Sequence, residues 1–252
     1  MNLANYIACG YVITRPVERI TWGAELLPEQ ILSISSELCP RVPDYSAMPW
    51  ANMDLEERYR ESTTPRQLAL SREAFQQVGT WVTLLWKTDG LKWMDVFVAP
   101  EIARHFITET LAAHRDRLLI LGVGLHRRLV DEFLAACQPP AGSTPPAPSE
   151  APAGGSEATY GVYDMVANRG ALAAGGAVLG FEPAGYAYGD FTSWLIHGLH
   201  VECHARFGIR PNRWGLLETA EEAARCANHL RGVEGKEPGW WQAWLVAQYP
   251  TG

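Results

Sequence analysis

The chain lacks long apolar runs. No stretch of its 252 residues approaches the 18 or so consecutive apolar side chains of a membrane-spanning helix, so no membrane partner is expected. Its start, Met1-Asn-Leu-Ala-Asn-Tyr-Ile7, has neither the basic opening nor the apolar centre of a secretory signal, and a cytoplasmic location is expected. Cysteine is sparse and unpaired in pattern. Cys9, Cys39, Cys137, Cys203 and Cys226 form no Cys-x-x-Cys unit, which reads as reduced, largely buried thiols. Clusters of Lys and Arg are also missing. Twenty-one basic residues face 28 acidic ones, net −7, spread evenly along the chain. No nucleic-acid partner is expected, because neutralising phosphates takes clustered cations.

Motifs of common chemistries are absent as well. There is no Gly-x-Ser-x-Gly nucleophile elbow. Gly122-Val-Gly124 lacks the third glycine of a dinucleotide fingerprint and has no Walker lysine and serine, so it reads as a strand-to-helix turn. The acidic pairs Glu56-Glu57, Asp131-Glu132 and Glu221-Glu222 sit in polar helical contexts, where solvation or a helix start explains them. General acid–base pairs need one carboxyl in an apolar pocket.

What is present is ordinary globular composition, 47% hydrophobic and 19% charged, with ten tryptophans. The boundary most visible is 138–159, a Pro/Ala/Gly/Ser-rich stretch with Pro139, Pro140, Pro145, Pro146, Pro148 and Pro152 and little to bury. It divides a 1–137 block from a 160–252 block, which either pack together or stand apart. The fold class expected is α+β, with mixed helices and short strands in both blocks.

In the first block, Tyr6–Ile13 reads as a strand. Pro28, with Ile31, Ile34 and Leu38 behind it, reads as a helix start. Thr64-Pro65-Arg66-Gln67 reads as a capping box opening one long helix to about Gly90. Met94–Val98 and Leu118–Leu125 read as strands, with helices at 100–114 and leading out of the second strand to Cys137. In the second block, Asp164–Leu172 reads as a helix. Val178–Glu182 and Gly185–Tyr188 read as two strands around Pro183. Phe191–Phe207 reads as a helix ended by Gly208, Thr219–Gly232 as another, and the Trp-rich segment after Pro238 as a last one.

On a continuous 191–207 helix, His197, His200 and His204 stand at i, i+3 and i+7 and point the same way. Three imidazoles suit zinc with one open position. The other reading is a polar rim beside the apolar stripe Ile196, Leu199, Cys203 and Phe207, because the glutamate of the His-Glu-x-x-His motif is lacking. Aromatics interleaved with charges near the start of that helix, and Trp214 after it, suit either a core edge or a protein-binding hot spot.

Residues 179–230 carry a resemblance. Leu179-Gly-Phe-Glu182, Tyr188-Gly-Asp-Phe-Thr-Ser-Trp-Leu195, Gly198-Leu199, Phe207-Gly-Ile209, Asn212 and Trp214-Gly-Leu-Leu217 resemble the immunity-protein families that accompany polymorphic or contact-dependent bacterial toxins. Leu121–Leu134 follows the pattern less strictly. The resemblance implies a cytoplasmic, non-catalytic protein that binds and blocks a cognate toxin, without a cofactor. It implies an anchor region at Tyr186, Tyr188, Asp190, Trp194 and Trp214. The alternative is a metal-assisted hydrolase with zinc on His197, His200 and His204.

Overall fold

The computed structural model describes residues 2–44, 54–139, 161–187, 189–233 and 239–252. Nine strands are found among them: β1 (Tyr6–Thr14), β2 (Val17–Glu18), β3 (Gln30–Ile31), β4 (Leu91–Lys92), β5 (Val96–Phe97), β6 (Leu119–His126), β7 (Ala177–Ala187), β8 (Asp190–Ser193) and β9 (Trp240–Tyr249). The helices are α1 (Leu55–Glu61), α2 (Thr63–Leu68), α3 (Arg72–Lys87), α4 (Pro100–Thr110), α5 (Val130–Ala136), α6 (Gly161–Ala167), α7 (Leu199–Phe207) and α8 (Ala220–Leu230), with short 3-10 turns between. The fold is α+β.

Seven strands form one sheet in the order β4-β5-β1-β6-β9-β7-β8, and every neighbouring pair is antiparallel. Strands from both sides of the 138–159 segment share it. The seam is β6 against β9, in register from Ile120 opposite Tyr249 to Gly124 opposite Leu245. Of the segment itself only Gln138 and Pro139 are described.

Strand period two sorts side chains onto two covered faces. In β9, Trp241, Ala243, Leu245, Ala247 and Tyr249 join a core closed by α3, α4, α7 and α8. Trp244 and Val246 join a second core with Val130 and Phe133 of α5 and Val162 and Val166 of α6. Covering both faces explains why β1 is buried along its whole length and reads as an unbroken apolar run. At Gly10 the β1–β6 register slips by one residue; its φ is +119° and a Cβ would lie 2.0 Å from Val96 Cγ1, so only glycine fits.

Several expectations are corrected. The segment after Pro28 forms the short β3 and bends, not a helix, because Gln30–Ile31 pairs with Val17–Glu18. The long helix from Thr64 is two helices. Ala69 takes a left-handed conformation (φ 54°), and Ser71 then caps α3 by accepting from the Ala74 N–H. Pro183 does not divide two strands: β7 runs through it, and its carbonyl accepts from the Trp194 N–H. The C-terminal Trp-rich segment is a strand, not a helix. Its Trp240–Trp244 spacing fits either form, and pairing with β6 and β7 on both sides decides for strand. Phe191–Phe207 is a strand, a turn and a helix: residues 190–193 pair with β7, and α7 starts only after Gly198 (φ 72°). Among the described residues, no helix is long and apolar enough to cross a membrane.

Candidate functional site

The polar centre of the molecule is Glu182, in the middle of β7 and fully buried. Ser33 Oγ (2.6 Å) and Ser193 Oγ (2.5 Å) both donate to its Oε1, and the Ile34 N–H donates to Oε2 (2.8 Å). The two serine oxygens in turn accept from the N–H groups of Ser35 and Leu195. Burial pushes the Glu182 carboxyl above its ordinary value, and the hydrogen bonds pull it partly back. The same surroundings push the Cys39 thiol up to about 12, burial first and the Glu182 charge second. This network ties the 33–36 loop to β7 and to the end of β8. With both serines closed off from solvent, it is a structural knot and offers no substrate access.

Beside it lies a charged cluster nearer the surface. Asp190, first residue of β8 and 22% exposed, accepts from Arg41 Nη2 at 2.6 Å and from Ser36 Oγ. Arg41 is only 4% exposed. Its Nη2 also donates to the Ile34 carbonyl (3.1 Å) and its Nη1 to the Met94 carbonyl (2.5 Å). One guanidinium thus pins a carboxylate from β8, the 33–36 loop and the β4–β5 turn together. Next to the cluster is a cavity of about 200 Å³, lined by Ser36, Arg41 and three further carboxylates, Glu37, Asp44 and Asp95. Asp44 Oδ2 accepts from the Thr63 N–H (2.8 Å) and Oγ1 (2.6 Å), and burial holds its carboxyl above the ordinary value.

The residues singled out from sequence are distributed as follows. Asp190 is in this cluster. Tyr186 and Trp194 are buried core side chains, Tyr186 against Phe133 and Phe191, Trp194 edge-on to His200. Burial pushes the Tyr186 phenol up. Tyr188 lies outside the described residues. Trp214 is half-buried under the Arg213 guanidinium, 5.0 Å from its ring centre, on a shallow groove with Val178 and Asn212.

The three histidines do not share a helix face, because the helix expected there is broken. His197 is exposed and left-handed (φ 55°) in the turn before α7. His200 is buried beneath Trp22 and Gly23, and burial lowers its pKa. His204 Nδ1 lies 3.1 Å from the Ile209 carbonyl oxygen. Among the described residues, no group of three His, Cys, Asp or Glu side chains is placed to hold a metal ion.

Sequence reasoning missed Glu182 as a buried carboxylate, and missed Arg41 and Ser36. Glu182 alone had a local signal, an acid between apolar residues of a strand. The chain matches no protein-family model, no curated protein and no solved structure.

Proposed function

We propose that the chain is a non-catalytic, protein-binding inhibitor of the immunity type, neutralising a cognate bacterial toxin in the cytoplasm. The observation that carries this reading is Asp190, a partly exposed carboxylate held in one orientation by the buried Arg41. A side chain already ordered before contact loses little entropy on binding. It sits within the segment that resembles immunity proteins, beside the carboxylates Glu37, Asp44 and Asp95. A net charge of −7 favours fast encounter with a basic partner.

The contact region of this reading is narrower than the sequence suggests. Trp194 has no accessible surface to offer and Tyr186 almost none. Asp190, the acidic residues around the neighbouring cavity, and Trp214 remain.

The test is titration calorimetry of the purified chain against the polypeptide encoded beside its gene, with that polypeptide's toxicity assayed in parallel. Stoichiometric binding that abolishes toxicity supports the reading. A folded chain that neither binds nor protects overturns it. The alternative, a zinc-assisted hydrolase at His197, His200 and His204, is tested by metal content: one zinc per chain, lost in His200→Ala, would favour it.

A further inference from the structure

We infer that the seven-stranded sheet is curled shut by a side-chain clasp centred on Arg41, and that the gap under this clasp is where the native fold opens first. The two ends of the sheet are far apart in strand order, with β4 and β5 at one end and β8 at the other. In space they meet. Gly189, in the β7–β8 turn, has a positive φ (92°), and a Cβ there would lie 3.0 Å from Trp93 Cδ1 in the β4–β5 turn. Every other neighbouring pair in the sheet is joined by a backbone ladder. Across this gap, among the described residues, no backbone hydrogen bond runs.

Side chains do the joining instead. Arg41 Nη2 donates to Asp190 Oδ1 of β8 at 2.6 Å, and Nη1 donates to the Met94 carbonyl of the β4–β5 turn at 2.5 Å, so one guanidinium holds both ends. Ser36 Oγ donates to Asp190 as well. The clasp is fixed from behind to β1. The Val42 N–H donates to the Ile13 carbonyl (2.9 Å), and Thr14 Oγ1 donates to the Pro40 carbonyl (3.1 Å). A planar fork of several donors serves two ends at once, which the point charge of a lysine does not. A ladder parts only with its flanking strands, whereas a gap closed by one ion pair opens locally, at less cost than global unfolding. Asp190 keeps 22% exposure, so water competes for its half of the pair. Behind the clasp stand Phe191 of β8 and Val96 of β5, both members of the second core. Opening here bares that core without parting β6 from β9.

The test is hydrogen exchange of the full chain, read by mass spectrometry at increasing urea below the unfolding midpoint. In the wild type, amides of 190–195 and 91–98 should exchange through an opening of shallow urea dependence, about tenfold or more faster than those of the β6–β9 seam. Arg41→Lys removes the fork from the closed state, and the clasp is already lost in both the opened and the unfolded states. The variant should therefore raise the opening constant of 190–195 by about tenfold, and the global unfolding constant by the same factor. Exchange of 190–195 together with the seam in the wild type, with one urea dependence, overturns the inference, and that reading needs no variant. It is overturned too if Arg41→Lys leaves the 190–195 opening unchanged, whether or not global stability falls, because β8 would then open with the clasp still closed. Neither outcome touches the protein-binding reading, which stands or falls on the partner titration.

Discussion

Ser33 Oγ lies 2.6 Å from Glu182 Oε1, although 149 residues separate the two along the chain. Neither has access to solvent. The bond joins the loop after β3 to the middle of β7, and the first block to the second. Because the carboxyl is buried, its protonation is linked to folding.

Glu182 titrates above its ordinary value in the folded protein. Between its unfolded and folded pKa values, the native state therefore holds a proton that the unfolded chain releases. Stability contributed by this group is full below the unfolded value and declines as pH rises through the window. The slope is at most about 1.4 kcal/mol per pH unit for one proton. Glu182→Gln removes that slope. It also costs about 1–3 kcal/mol at low pH, since an amide cannot accept from Ile34 and from both serines. Urea midpoints of both proteins from pH 4 to 8 check this; parallel curves would mean that Glu182 does not titrate in the window. The difference between the two proteins is the quantity to read, because Asp44 is shifted the same way and His200 lies below its ordinary value.

Asp190→Ala leaves the buried Arg41 charge without its counterion. Removing one partner of such a pair destabilises by about 3 kcal/mol, reduced here because Asp190 keeps some solvent contact. The double variant Arg41→Met, Asp190→Ala should recover part of the loss. A double-mutant cycle in urea measures the coupling, and additive losses would show that the pair is not energetically linked.

Which parts of this were readable follows from how local each cause is. β1 and β6 are continuous apolar runs because both sheet faces are covered, and a run of that kind is visible in sequence. Thr219 capping α8 is visible too, since its partner Glu222 is three residues away. The last strand was not, because Trp240, Trp241 and Trp244 fit a helix as well as a strand and only β6 and β7 choose between them. The same applies at the site. Asp190 stands out among aromatics, but Arg41 is 149 residues away and carries no local mark. The histidine grouping failed because Gly198 starts α7 after His197, and nothing in the apolar spacing reveals that turn.

Thiol reactivity should separate the five cysteines. Cys9, Cys39, Cys203 and Cys226 are buried, and Cys137 is only partly so. Burial, with help from the nearby Glu132, pushes even the Cys137 thiol up to about 12, leaving little thiolate at neutral pH. The Cys203 thiol is raised further by its hydrogen bond with Cys226 and by burial. A chromogenic disulfide at pH 8 should titrate at most one thiol, slowly, in the native protein and all five in urea. Fast reaction of two or more native thiols would contradict the packing of α7 against α8.

Trp22 and Trp194 differ sharply in burial and should respond unequally to truncation. Trp22 is 69% exposed and rests over Gly198, where a Cβ would come within 2.7 Å of its indole nitrogen. Trp194 is fully buried, packed edge-on to the His200 ring at 6.3 Å between centres. Trp194→Ala removes a large core side chain and should cost about 3–5 kcal/mol. Trp22→Ala should stay within about 0.5 kcal/mol, as most exposed substitutions do. Urea denaturation of both variants is the check, and the order of the two midpoints decides. A Trp194→Ala midpoint equal to wild type would return Trp194 to the surface and restore it as a partner anchor. The expected result removes it: weak partner binding by that variant would report a loosened core. The informative binding variant is then one that keeps its fold, such as Glu37→Gln at the cavity rim.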